Sequence, residues 1–246
     1  MEKNISMLTK GKGVSVEQVI AASPVQIPES PGAQTAAFYK VLYKPEDLIA
    51  AVAGEPQAMG KTAPIGKSCV SEAQKLTRYA DGGAVDVVFG RHGGYSRINP
   101  VKTPKGMGKK GCHCDDDIAG FRYVLAESDC VAKPLQLAAL CHLRLPIASI
   151  VDSGGKSYHA LIRIDAQSLE EYRDTTAKMY DLLTLIGVDH TNKNPSRFTR
   201  VPGVQRISEG NPGGMQSLLY LCPEPDGTPI VERMAASLPN LNQADV

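Results

Sequence analysis

The chain has 246 residues, 42% of them hydrophobic, enough for one large domain or two lobes sharing a core. Its formal net charge is +1, so no global field draws it to nucleic acid or membrane, and any basic surface must be local. The absence of Trp and an aromatic content of 5% weigh against a surface built mainly on base stacking.

No apolar run reaches membrane-spanning length and no signal peptide is read, so the six cysteines (69, 112, 114, 130, 141 and 222) fit a reduced, cytoplasmic protein. Residues 1–35 read as a flexible arm. Val14 to Ala22 predicts a short helix, Pro24, Pro28 and Pro31 an extended path, and Met1 to Lys12 a loose end. Residues 36–110 read as a mixed α/β lobe. Phe38 to Tyr43 is a short strand or the lead into a helix. Pro45 to Ala53 predicts a helix, with Pro and two acids in its first turn and Gly54 as a stop. A poorer helix is expected around Ser71 to Ala80, then strands at Ala84 to Phe89 and Tyr95 to Ile98, joined by the Gly-rich link Gly90 to Gly94. Lys102, Lys105, Lys109 and Lys110 form a basic, mobile loop, either solubilising or in contact with nucleic-acid phosphates. The spacing of Cys112-His113-Cys114 is wrong for zinc, which needs a second ligand pair. The following Asp115, Asp116 and Asp117 are expected to open a helix or loop.

From Phe121 the pattern is regular. Strands are predicted at Phe121 to Asp129, Ala148 to Asp152, Ser157 to Asp165 and near Phe198 to Val201. Helices are predicted at Pro134 to Leu143 and Ser168 to Ile186, the latter stopped by Gly187. The order β-α-β-β-α-β is the ferredoxin-like, or split β-α-β, unit of RNA-recognition modules. The expected fold class is α+β: this unit, within residues 111–225, packs on the lobe 36–110, and residues 226–246 form a tail or a linker to a further domain. In that topology the first and third strands are central antiparallel neighbours, and the fourth lies on the first strand's other side.

Glu127 and Asp129 at the end of the first strand would then meet Ser157 and His159 at the start of the third, and Asp189 on the approach to the fourth. Glu127 and Asp129 share a face. Two carboxylates ~4 Å apart repel by ~1 kcal/mol in water and ~4 kcal/mol at an effective dielectric of ~20. A divalent cation reverses that sign, and Mg²⁺ prefers a few carboxylates plus phosphate oxygens. An exposed strand end with two solvated acids is the plainer reading. Asp165 lies ~20 Å from His159 at ~3.3 Å per residue, at the other end of the sheet.

Gly154-Gly155 marks a tight turn, and its backbone N–H groups, with Lys156 and the Ser157 hydroxyl, suit a phosphate chain. An ordinary hairpin with a surface Lys and a half-buried His reads as well. A P-loop is excluded: Gly155-Lys156-Ser157 fits its end, but Ile150 stands where its first Gly belongs, and a strand follows. Arg197 and Arg200 frame the last predicted strand, and their forks suit phosphate oxygens or a plain surface equally.

Glu127-Ser128-Asp129, the segment Ser153-Gly154-Gly155-Lys156-Ser157-Tyr158-His159, and the segment from Asp189 through Asn194-Pro195-Ser196-Arg197 to Pro202-Gly203 resemble the three motifs of archaeo-eukaryotic primases. The nearest subgroup is the primase-polymerases of phages, plasmids and other mobile elements, including those linked to CRISPR loci. Arg97-Ile98-Asn99-Pro100 also resembles that subgroup. The first motif usually reads Asp-x-Asp or Asp-x-Glu; here it is Glu-x-Asp, chemically equivalent. The resemblance implies template-directed nucleotidyl transfer from nucleoside or deoxynucleoside triphosphates to a 3′-hydroxyl. It implies that Glu127, Asp129 and Asp189 hold two Mg²⁺ or Mn²⁺ ions, with His159 among the catalytic residues. Ser153, Gly155, Lys156, Ser157, His159, Arg197 and Arg200 would contact the nucleotide, and Arg97, Lys102, Lys105, Lys109 and Lys110 the DNA. Implied partners are a DNA template and primer, ATP, GTP and deoxynucleotides, and a helicase domain or CRISPR adaptation proteins. Two rivals share parts of this signature. A non-catalytic RNA-binding module has the same strand order but needs aromatics on its central strands; Phe121 and Tyr123 stand on the first, but the third offers His159 and Arg163 on that face, and acids at the sheet end would repel a backbone. A palm-type nucleotide cyclase has similar metals and no template.

Overall fold

Two antiparallel sheets face one another across a shared apolar core in the computed structural model, which describes residues 1–57, 61–64 and 69–237. Three helices come first: α1 (Glu2–Thr9), α2 (Val16–Ala21) and α3 (Pro31–Leu42). The arm expected to be loose is therefore folded. Ser15 and Gln18 cap α2 reciprocally, Ser30 caps α3, and Pro31 sits in the first turn, where a missing N–H costs nothing. Helix α1 has no side-chain cap. Its stability comes from burying Ile5 and Leu8 against the core, a tertiary effect that local sequence does not advertise.

The first sheet runs β2 (Lys61–Pro64), β1 (Leu48–Gln57), β4 (Gly94–Arg97), β8 (Phe198–Arg200), with β3 (Cys69–Glu72) pairing the first half of β1. Two expectations fail here. Pro45 to Ala53 is no helix, because β1 occupies most of it. The Asp47 carboxylate accepts the Lys44 N–H at 2.7 Å and pairs with Arg122, closing a turn. Ile49 and Ala51 enter one cluster and Ala50 another, so both faces are buried and the run carries no period to separate strand from helix. Conversely, Ala84 to Phe89 is no strand: α5 (Val85–Phe89) puts Val85 and Phe89, one helical turn apart, into one core. Helix α4 (Ala73–Asp81) lies where a helix was expected.

The second sheet runs β5 (Phe121–Ala126), β7 (Tyr158–Ala166), β6 (Ile147–Asp152), β10 (Met215–Leu221), β9 (Val204–Gln205). Val124, Ala126, Ile150, Ala160 and Ile162 face a layer formed by α1, α6 (Lys133–His142), α7 (Leu169–Leu183) and α8 (Ile230–Ser237). The alternate residues Tyr123, Leu125, Val151 and Leu161 face the first sheet. Helix α8, with Ile230 buried, occupies part of the expected tail; residues 238–246 lie outside the described residues.

The ferredoxin-like closure does not form. Strand β8 pairs with β4 in the facing sheet, Tyr95 beside Arg200 and Arg97 beside Phe198, while β10 extends the second sheet beyond β6. Side chains serve the β5 backbone instead. Asn99, fully buried just after β4, accepts the Arg122 and Tyr123 N–H groups at 2.8 and 2.9 Å. Its amide donates to the Tyr123 and Pro195 carbonyls at 3.0 and 3.1 Å. The Tyr172 hydroxyl also reaches the Tyr123 carbonyl, and the Tyr180 hydroxyl reaches that of Leu125. These bonds do the work of a fourth strand's ladder.

Candidate active site

The site draws on both sheets. Ala126 faces the helical layer, so Glu127, next along, faces the crevice between sheets. Ser157 and His159 come to the same side at the start of β7. Glu127 Oε1 accepts the Ser157 hydroxyl at 3.2 Å and lies 3.2 Å from His159 Nε2; Oε2 accepts the Asn192 amide at 3.4 Å. Across the crevice, His159 Nδ1 meets the Thr199 hydroxyl at 3.3 Å and the Arg200 backbone N–H at 3.4 Å. A backbone N–H only donates, so Nδ1 accepts and the ring proton sits on Nε2. That Nε2 is off the hydrogen-bonding line to Glu127, and it is a buried donor with no aligned acceptor among the described residues. Such a group suits an anionic oxygen.

Burial pushes the Glu127 carboxyl up, but the His159 ring 3.2 Å away, the Ser157 hydroxyl and the Arg200 charge outweigh it and hold the group at about 2. Its folded pKa is thus below the ordinary 4.5. The stability it contributes, on the order of 3 kcal/mol by linkage, is present above pH ~4.5 and is lost as pH falls toward ~2. In metal-free urea denaturation, the wild type is expected to lose stability more steeply over that range than Glu127→Gln. Parallel pH curves would sink the pairing.

Asp189 arrives by main chain: its N–H donates to the Glu127 carbonyl at 2.8 Å. Its half-exposed carboxylate accepts the Thr191 N–H at 2.9 Å and hydroxyl at 2.8 Å. Asp129 stands past the end of β5, exposed to solvent. The structure therefore joins Glu127, Ser157, His159 and Arg200, sets Asp189 beside them through the backbone, and leaves Asp129 at the rim. Among the described residues no three His, Cys, Asp or Glu side chains close on one metal position. The donors of the three acids are carboxylate oxygens, one of them strongly ionised, which is the chemistry Mg²⁺ and Mn²⁺ take.

The Gly-rich turn is built tightly. The Ser153 N–H donates to the Ser157 carbonyl at 3.0 Å, and the Ser157 N–H to the buried Ser153 hydroxyl at 3.3 Å. Asp152 accepts the Gly154 N–H at 2.8 Å and is paired with Lys133 at 2.6 Å, which fixes the turn to α6. A Cβ on Gly155 would stand 1.8 Å from Arg206 Nη1, so only glycine lets this guanidinium lie over the turn. Arg206 also donates to the Ser153 carbonyl at 3.3 Å. Sequence reasoning missed Arg206: it follows β9, and no local pattern says that this segment folds back onto Gly155. Lys156 is exposed beside it.

Arg200 is buried, with its guanidinium 4.1 Å from the Tyr95 ring centre. Burial, reinforced by the Arg206 charge and opposed by Tyr95 and Glu127, lowers its pKa to about 10, so it stays cationic at neutral pH. Arg197 is half-buried and donates to the Thr191 carbonyl. Arg97 is a brace: it donates to the His113 carbonyl at 2.8 Å and to that of Ser196, and stacks on Phe198 at 3.9 Å. Lys102, Lys105 and Lys109 are exposed; the Lys110 side chain lies outside those described. Asp115–Asp117 forms a short 3₁₀ turn, as expected of the acidic triplet, with Asp115 accepting the Ser196 hydroxyl at 2.6 Å. The six cysteines are free, and no helix among the described residues is long and apolar enough to cross a membrane.

No protein-family model matches the chain, and no curated protein does. Among solved structures it is similar to the AEP domain of cyanophage S-2L primase-polymerase, at 21% identity over 84% of this chain and 97% of that one, with a TM-score of 0.47. It is also similar to primase RepB′, at 14% identity over 84% of this chain and 62% of that one (TM-score 0.47). The catalytic domain of RepB′ solved with initiator DNA gives 15% identity over 84% and 95%, with a TM-score of 0.45.

Proposed function

We propose that the chain is a primase-polymerase that transfers nucleotides from triphosphates to a 3′-hydroxyl on a template. The observation that carries this reading is the meeting of opposite charges at the crevice: an ionised, half-buried Glu127, beside it on the same sheet the Nε2–H of His159 and the Gly-rich turn under Arg206, and Arg200 from the facing sheet. In the reaction the 3′-oxygen bonds to the α-phosphorus, the α–β phosphoanhydride breaks, and pyrophosphate leaves. Arg206 and the N–H groups of Gly155 and Lys156 hold the triphosphate, with the Lys156 side chain at its exposed end. His159 donates Nε2–H to a phosphate oxygen. Arg200, from the facing sheet, stabilises charge that grows on the leaving group. Glu127, Asp129 and Asp189 would hold two divalent ions, which supply activation of the 3′-hydroxyl and neutralisation of the pyrophosphate. Arg197 and the exposed lysines between β4 and β5 would line the path of the template, with Arg97 bracing that loop from beneath.

The RNA-binding rival is disfavoured by burial. Tyr123, which such a module would present for stacking, is 4% exposed and donates its hydroxyl to the Leu42 carbonyl under the first sheet. The deciding assay extends a labelled primer on a template with deoxynucleotides or ribonucleotides and Mg²⁺ or Mn²⁺. Template-directed growth is expected. Cyclic products from ATP or GTP alone would instead make the chain a cyclase, and metal-independent RNA binding without turnover would make it a binding module. Within that assay, Arg206→Ala is expected to raise the nucleotide KM by about tenfold or more, the scale of one lost charged hydrogen bond, with a smaller change in kcat. Gly155→Ala, which displaces the same guanidinium, should act alike. Unchanged KM in both would remove Arg206 from the triphosphate site.

A further inference from the structure

The basic loop between β4 and β5, expected to be mobile, is a braced hairpin with a methionine at its tip. Met107 is 70% exposed, more than any other large apolar side chain among the described residues. The loop is not slack. Both carboxylate oxygens of Asp117, itself 1% exposed, accept the Met107 N–H at 3.1 Å. The same carboxylate takes the Cys114 N–H at 2.7 Å and thiol at 3.2 Å. The Gly108 N–H donates to the Cys112 carbonyl at 2.9 Å. A Cβ on Gly106 or Gly108 would stand 2.2 or 2.8 Å from that carbonyl oxygen, so the arms of the hairpin close only on glycine at both flanks of Met107. Buried His113 holds the Thr103 carbonyl at 2.9 Å. A buried carboxylate, two glycines and a histidine thus fix one apolar side chain away from every core.

Its surroundings are cationic. Lys105 and Lys109 are exposed on either side of Met107. Two of the three neighbouring acids turn inward, Asp115 to Ser196 and Asp117 to the hairpin backbone, which leaves Asp116 as the one exposed acid of the triplet beside two exposed lysines. The base of the hairpin is bolted to the site: Arg97 donates to the His113 carbonyl at 2.8 Å, and Asp115 holds Ser196, next to Arg197.

We propose that this hairpin engages a nucleic-acid strand at the site, with Lys105 and Lys109 on its phosphates and Met107 wedged between adjacent bases. Lone apolar side chains are used in this way to part base steps, and flanking lysines match the charge of the backbone. A membrane surface would need a broader apolar face than one side chain. The inference rests on the reading of the chain as acting on nucleic acid, but its test needs no turnover.

Binding of a fluorescein-labelled single-stranded oligodeoxynucleotide, alone and annealed to a primer, is measured by anisotropy across a salt series. Lys105→Gln and Lys109→Gln are each expected to lower the slope of log K against log salt, by ~0.7 on the single strand and ~0.9 on duplex. Met107→Ala is expected to weaken binding by about fivefold at every salt concentration with the slope unchanged, a loss somewhat below that of an aromatic stack. Met107→Leu should bind as the wild type does. A 2-aminopurine in the strand should brighten on binding the wild type and stay dim with Met107→Ala. Wild-type affinity in Met107→Ala, or an unresponsive 2-aminopurine with the wild type, overturns the wedge. If the wild type extends primers and the wedge fails, only this inference falls; if it binds no strand at all, the proposed function falls with it.

Discussion

Asp129→Asn and Glu127→Gln are each expected to cut template-directed extension by at least about 10²–10³-fold, the scale of removing one group aimed at transition-state charge. The two substitutions differ in what else they disturb. Glu127 is half-buried between Ser157, His159 and Asn192, so its loss changes stability as well as chemistry. A purely structural role would show as a lowered melting temperature with activity retained in the folded fraction. Asp129 is exposed at the end of β5, and its neutralisation should leave melting within about 0.5 kcal/mol of the wild type. Any activity lost there is lost from the site. Extension, melting and nucleotide KM are measured together, with Mg²⁺ and with Mn²⁺. Full extension by Asp129→Asn with either metal would remove that carboxylate from the site and break the symmetry with Glu127. Losses in the double variant should not add, because both acids would serve the same ions.

How far the residues alone foretell this arrangement depends on how local each cause is. The segments from β5 to α7 were legible because their periods are clean: Val124 and Ala126 against Tyr123 and Leu125, or Tyr158, Ala160 and Ile162 against His159 and Leu161. The neighbourhood of Glu127, Ser157 and His159 follows from the β5–β7 pairing, and it forms. The partner of β8 was not legible. Phe198-Thr199-Arg200 is too short to specify a register, and it pairs with β4 through Tyr95, far earlier in the chain. The consequence for the site is favourable, since Thr199 and Arg200 meet His159 from the facing sheet rather than from the far edge of the same one. The errors at β1 and α5 have a shared cause. Each is a short apolar run whose burial on one or both faces is decided by tertiary neighbours. Arg206 belongs to a third kind, a contact created by a loop folding back, which periodicity does not address.

Asn99→Ala is expected to destabilise the protein by ~3–5 kcal/mol, lowering the melting temperature by roughly 6–20 °C for a chain of this size. The substitution strips partners from the Arg122 and Tyr123 N–H groups and from the Pro195 carbonyl, while the Tyr123 carbonyl keeps the Tyr172 hydroxyl at 3.3 Å. Asn99→Asp separates the two halves of this role. A carboxylate can still accept both N–H groups, but it cannot donate to Tyr123 or Pro195. It should therefore recover part of the stability and still release Pro195, and with it the stretch from Asp189 to Arg197 that stands beside Glu127. The expected outcome for Asn99→Asp is a smaller drop in melting temperature than for Asn99→Ala, yet a loss of extension at temperatures where it remains folded. A melting change within ~1 kcal/mol of the wild type for Asn99→Ala would mean that water serves β5 as well as Asn99 does. Full extension by a folded Asn99→Asp would mean that Asp189 is held in place without it. Either result would break the link between the buried amide that replaces a fourth strand and the carboxylate that β5 brings to the crevice.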